Sequence, residues 1–166
     1  MNRQPQLMDA TRMRDILTPH LSQIRENVFL NNELGIIRGD RTVFSLPMRQ
    51  KPPFTINDHR LGIVMSGEAE INFNLQDRHL KSGTLVYIGP GTIIHPKRLS
   101  PDLCIFGMAL FTNFPMPFAQ GQMPSAFNGQ VRDFQLPVSE EDIATVKNIM
   151  PQIRNRPHKM TQRSKR

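Results

Sequence analysis

At 166 residues the chain has the length of one domain, enough to bury roughly 70% of its unfolded surface and too little for a second full domain. Hydrophobic residues make up 38%, and no apolar stretch approaches the roughly 20 residues that a membrane span requires, which excludes a helical membrane protein. The net charge of +7 is local: residues 154–166 hold six Lys or Arg and no acid, leaving fifteen bases against fourteen acids in residues 1–153. A nearly neutral body presents no broad electrostatic footprint for phosphate, whereas the basic tail is either a solvated linker or a source of weak, salt-sensitive attraction to nucleic acid.

The single cysteine, Cys104, permits no internal disulfide and fits a reducing compartment. The opening residues Met1 to Gln6 lack an apolar signal core, so a cytoplasmic location is expected. From Leu7 to Val28 the residues Leu7, Met13, Ile16, Leu17, Leu21, Ile24 and Val28 recur at roughly helical intervals, broken by Pro19. This predicts a short helix or arm, then another turn or so.

Leu34 to Ile37 and Thr42 to Leu46 have strand chemistry, and Pro47, Pro52 and Pro53 place a break before Phe54. Leu61 to Gly91 then carries three β-type runs between glycine-bearing turns. Leu61, Ile63 and Met65 share one parity; after Ser66-Gly67-Glu68, Ala69, Ile71, Phe73 and Leu75 share another, with Glu70, Asn72 and Asn74 between them. Gln76-Asp77-Arg78 reads as the next turn. Leu85 to Ile88 suits a strand covered on both sides, ended by Gly89-Pro90-Gly91.

Pro96 and Pro101 flank Lys97-Arg98 in an expected loop, and Leu103 to Phe111 reads as a fully covered strand. Phe114 to Pro137, rich in Pro and Gly, is expected to wrap the body without regular structure, held by Phe114, Phe118, Phe127 and Phe134. Ser139 then caps a helix whose first turn carries Glu140, Glu141 and Asp142. Ile143, Val146, Ile149 and Ile153 fall on one face of it, and Pro151 should kink or end it. That face either packs on its own body or pairs with a second copy.

The fold expected is mostly β, a small antiparallel jelly-roll-like barrel over residues 31–114. Residues 1–30 form an N-terminal arm or helix, 115–153 a wrapping loop and C-terminal helix of the same domain, and 154–166 a basic tail or linker.

The order of Gly67, Ile71, Asn74-Leu75, Leu80-Lys81-Ser82-Gly83, Tyr87-Ile88, Pro90 to Ile94 and then Asp102 to Phe111 resembles the N-terminal sensor and dimerisation domain of AraC-type transcriptional regulators, a small cupin β-barrel. The resemblance runs over roughly residues 46–114 and, more weakly, the helix after Val138. It implies an arm able to fold over an effector, a homodimer formed through the last helix, and DNA binding through a separate helix-turn-helix part. These 166 residues do not contain that part, so the chain is expected to be a fragment of a longer regulator or a shortened form of one.

Cupin enzymes hold a metal through two spaced motifs, and neither survives here. With the glycine of the first motif set on Gly67, Arg60 stands at the carboxylate position, and Phe54 with Ile56, or Pro53 with Thr55, at the imidazoles. In the second, Ile94 occupies the histidine position, and His95 comes one residue late, on the opposite strand face. No nucleophile elbow or dinucleotide loop occurs. Cys104 lies among Leu103, Ile105 and Phe106 as an inert core thiol, and Asp58-His59 reads either as an acid–base pair or as a solvated pair at the rim.

No metal, cofactor or catalytic residue is therefore expected. What remains is a barrel interior, either simply packed or holding one small ligand. The pocket candidates are Phe44, Arg60, Ile63, Met65, Phe73, Tyr87, His95 and Phe106, with Leu61, Ile71, Leu85 and Ile93 also facing inward; Arg60 would favour an anion or a polyol. The leading reading is a non-catalytic effector-sensing and dimerisation domain. The alternatives are a free-standing metal-dependent isomerase or dioxygenase of the cupin type, and a scaffold that only dimerises.

Overall fold

A computed structural model describes residues 4–50, 52–116, 128–129 and 132–154. The fold is mostly β, as the alternation predicts. In a five-stranded sheet, β1 (Gln6–Leu7), β4 (Phe54–Thr55), β9 (Ile93–Leu99), β6 (Glu68–Phe73) and β7 (Gln76–Lys81) lie side by side in that order. A six-stranded sheet follows the order β11 (Asp133–Pro137), β8 (Thr84–Ile88), β5 (His59–Ser66), β10 (Cys104–Leu110), β3 (Leu34–Asp40) and β2 (Val28–Leu30). Every pairing is antiparallel except that of β1 with β4. Among the described residues the two sheets do not join into a closed barrel; they pack face to face over a core of Val64, Ala69, Phe73, Leu80, Leu99, Leu103 and Ile105.

The arm follows its sequence closely at first. Asp9 caps α1 (Ala10–Leu17), accepting a hydrogen bond from the Arg12 backbone N–H at 2.9 Å. Pro19 sits in the first turn of a 3₁₀ segment, Thr18–His20, where its missing N–H costs nothing, and α2 (Leu21–Ile24) adds one more turn. Val28 then leaves the helical pattern and begins β2. Met8 packs with Phe54 and Ile56, and Leu17 and Ile24 pack with Leu46, so both halves of the arm are docked.

Several local expectations are corrected. Thr42 to Leu46 is not a strand: α3 spans Arg41–Ser45, because the Asp40 carboxylate accepts from the Val43 N–H at 3.1 Å and supplies an N-cap that outweighs β-branched propensity. The turn after β6 is Asn74-Leu75, not Gln76 to Arg78. Both residues have positive φ, 51° and 70°, as a two-residue primed turn requires. Asn74 also receives the Ile93 N–H on Oδ1 at 2.9 Å and donates its own N–H to Ile93 O, which ties the hairpin to β9. Leu75, placed by alternation among the inward residues, is instead 91% exposed at the tip.

Pro96, Lys97 and Arg98 are not a loop; they belong to β9, and Pro96 opposes Ile71 where the register shifts, a site that tolerates a missing donor. Within the wrapping segment, Phe134 lies in β11 rather than in irregular chain. Phe118 and Phe127 lie outside the described residues.

The last helix, α4 (Glu140–Arg154), starts as its sequence predicts. The Asp142 N–H donates to Ser139 Oγ at 3.1 Å, and the Ser139 N–H returns to Asp142 Oδ2 at 3.3 Å. It continues through Pro151 instead of ending there. Val146 packs against Ile36 and Phe106 on the outer face of the six-stranded sheet. The side chains of Ile149 and Ile153 lie outside the described residues.

Candidate ligand-binding site

Between the two sheets lies a cavity of about 210 Å³. Its origin is legible in the strand register. Gly62 of β5 stands directly opposite Gly107 of β10, and Gly35 of β3 opposite Ala109, so at these positions the central strands bring almost no side chain to their inner face. The hollow this leaves is walled by Ile71 and Phe73 from β6, Leu80 from β7, Val86 and Ile88 from β8, Ile94 from β9 and Ile105 from β10. Phe44 closes one side from α3, passing so close to Gly39 that a Cβ there would sit 2.7 Å from its ring. The arm closes another through Met13, Leu17 and β2.

Among the described residues, Arg60 is the only one with a polar side chain in this lining. Its Nε donates to Asp58 Oδ1 at 2.7 Å and one terminal nitrogen donates to Oδ2 at 3.2 Å, a bidentate pair. The same terminal nitrogen donates to the Met8 backbone carbonyl, fastening the arm to β5. Asp58 is 2% exposed. It is not a solvated rim group: its carboxylate is buried and paired with Arg60, while its charge still acts on His59.

His59 turns the other way. Its Nδ1 lies 2.7 Å from the Tyr87 hydroxyl, the two rings stack, and Tyr87 stacks in turn on Phe134 at a centroid distance of 5.0 Å. Burial lowers the His59 pKa, with the Asp58 charge opposing it in part, and burial raises that of Tyr87. With the imidazole neutral and its proton on Nε2, Nδ1 is free to accept a hydrogen bond from the Tyr87 O–H.

Of the residues singled out from sequence, Phe44, Arg60 and Phe73 line the cavity, as do Leu61 and Ile71. Ile63, Met65, Tyr87, His95 and Phe106 do not. Phe106 and Met65 join Ile36 and Met108 beneath α4, and Ile63 opposes Phe106 in register on that outer face. Tyr87 alternates with the lining residues Val86 and Ile88 and so points away. His95, next to the lining residue Ile94, opposes Asn72 and has its Nδ1 3.4 Å from Lys97 Nζ. Leu85 and Ile93 also lie outside the lining.

The inversion has a physical cause. Part of the outer face of the six-stranded sheet, around Ile36, Met65, Phe106 and Met108, is apolar too and is packed by Val146 of α4, leaving alternation with little contrast from which to choose the inner side. The signal that reading missed was the glycines: Gly35, Gly62 and Gly107 each interrupt an apolar run without a turn.

Among the described residues, the lining carries no Ser, Thr, Cys, His, Asp, Glu, Lys or Tyr side chain. Among the described residues no three His, Cys, Asp or Glu side chains gather where one metal ion could be held, and Cys104 opens onto a separate depression beside Arg38 and Asp40. The wall can bind an apolar body and exclude water from it.

No family model and no curated protein matches this sequence. Solved structures do show likenesses of fold. The ethanolamine utilization protein EutQ of Salmonella typhimurium LT2 is 19% identical over 47% of this chain and 55% of its own, with a TM-score of 0.32. An RmlC-like cupin of Methanocaldococcus jannaschii with a double-stranded β-helix fold is 19% identical over 51% of this chain and 76% of its own, at 0.38. ToxT of Vibrio cholerae O395, in a structure bound to (E)-4-(8-methylnaphthalen-1-yl)but-3-enoic acid, is 13% identical over 77% of this chain and 47% of its own, at 0.43. The chain thus spans about half the length of the EutQ and ToxT structures.

Proposed function

We propose that this chain is a non-catalytic, effector-sensing domain of an AraC-type transcriptional regulator, in which a small apolar ligand fills the space between the sheets. The observation that carries the reading is the cavity itself. Protein interiors are close-packed and leave few apolar spaces larger than a water molecule, so a hollow of this size between two sheets is a feature to be explained. A binding role explains why paired glycines keep that space open.

The sensing half of the reading comes from the arm. Met13, Leu17 and β2 belong to the lining, so an occupant touches the same segment that the Arg60–Met8 contact holds down. A ligand that prefers the docked arm shifts its equilibrium by the difference in affinity between the two arrangements. The order of residues from Gly67 to Phe111 supports the regulator class.

The test is calorimetry with n-octanol, beside the variant Gly62→Leu. A Cβ at Gly62 meets Val86 and Ile105 at 3.4 and 3.5 Å, ordinary contact, so the longer side chain extends into the hollow. Saturable binding to the natural chain with a negative heat-capacity change, lost in a folded Gly62→Leu, is expected. Octanol should also slow amide exchange at Met13 and Leu17. No binding, or equal binding to the variant, would refute the cavity as a site; unchanged arm exchange on binding would refute the sensing role.

A further inference from the structure

The charge arrangement at the cavity wall names the chemical class of the occupant. We infer that the ligand is an uncharged, mainly hydrocarbon molecule of about ten heavy atoms, and not a carboxylate. The inference rests on the cavity being a binding site, as proposed above.

An arginine at the edge of an apolar pocket ordinarily invites an anion. Here that invitation is already answered from within the fold: Asp58 takes Arg60 in a bidentate pair, with its side chain 1% exposed and that of Arg60 17% exposed. A third acceptor, the Met8 carbonyl, occupies one of the same nitrogens. A ligand carboxylate would enter a site whose formal charge is already balanced. It would either leave water with no counter-charge of its own or displace Asp58 and strand that carboxylate in the interior, and each costs several kcal/mol. A ligand cation fares no better, since Asp58 is already shared.

The rest of the lining bears no polar side chain, so a neutral hydrocarbon loses nothing there. Size follows from the volume. A buried cavity of about 150 Å³ accepts benzene, and the larger space here, about 210 Å³, accommodates a bicyclic aromatic or a chain of eight to ten carbons. A flexible wall contributed by Met13 tolerates either shape.

The experiment compares n-octanol, octanoate and octylammonium, equal in chain length and different in charge, by calorimetry at pH 7.5 on the natural chain and on Asp58→Asn. In the natural chain octanol is expected to bind at least about tenfold more tightly than either ion, the minimum implied by an uncompensated buried charge. Asp58→Asn keeps the shape and removes the counter-charge, so octanoate should there overtake octanol. Octanoate binding the natural chain as tightly as octanol would overturn the inference and leave the cavity reading standing. Failure of all three to bind the natural chain would instead remove the cavity reading. The natural-chain comparison decides the matter even where Asp58→Asn does not fold.

Discussion

His59 and Tyr87 form a hydrogen bond that depends on which partner holds the proton. Burial holds the His59 pKa below its ordinary 6.5, so the folded chain resists protonation at a pH where the unfolded chain accepts it. Stability attributable to this residue is therefore complete above pH 6.5 and is lost as pH falls through the lowered folded value. Urea midpoints measured between pH 7.5 and 5 are expected to fall for the natural chain and to fall less steeply for His59→Gln. Parallel curves would place the pH dependence elsewhere. At this scale the sequence was half legible. It offered Asp58, His59 and Arg60 as polar neighbours at a strand's start, but nothing local said that Asp58 would be buried and paired with Arg60. A single buried acid decided it.

Among the elements, α4 announced its start and concealed its partner. Ser139 and Asp142 make the reciprocal cap that their spacing predicts, yet the apolar stripe beginning at Ile143 fits either this chain's own sheet or a second copy. In the structure Val146 lies on Ile36 and Phe106. A carboxylate at that position would be driven into an apolar cluster, so Val146→Glu is expected to lower the urea unfolding free energy by about 1–3 kcal/mol. An unchanged midpoint, with a smaller sedimenting species, would show that this residue faces another protomer. The α3 segment carries the opposite lesson. Thr42, Val43 and Phe44 are strand formers by chemistry, and only the Asp40 cap makes them helical; propensity yields when one carboxylate satisfies an otherwise unpaired N–H at a helix start. The same turn aims Phe44 at the cavity, so misreading the element also hid how the cavity is closed.

For the molecule as a whole, a mostly β, jelly-roll-like body was legible from alternation and turn spacing, whereas its division into two sheets and whether its interior is hollow were not. Volume is a property of register: it arises because Gly62 meets Gly107 and Gly35 meets Ala109 across strands distant in sequence, and no local pattern records such meetings. Its most general consequence concerns compression. When the sheets separate, solvent floods the hollow and the system shrinks, so hydrostatic pressure favours the unfolded chain by a molar volume that grows with the emptied space, within a usual range of about 20–100 mL/mol. Gly62→Leu should therefore raise the half-unfolding pressure followed by NMR, and an unmoved midpoint would mean that the added side chain had not displaced that void. A fold with a hollow between its sheets is thus one whose stability depends in part on the pressure around it.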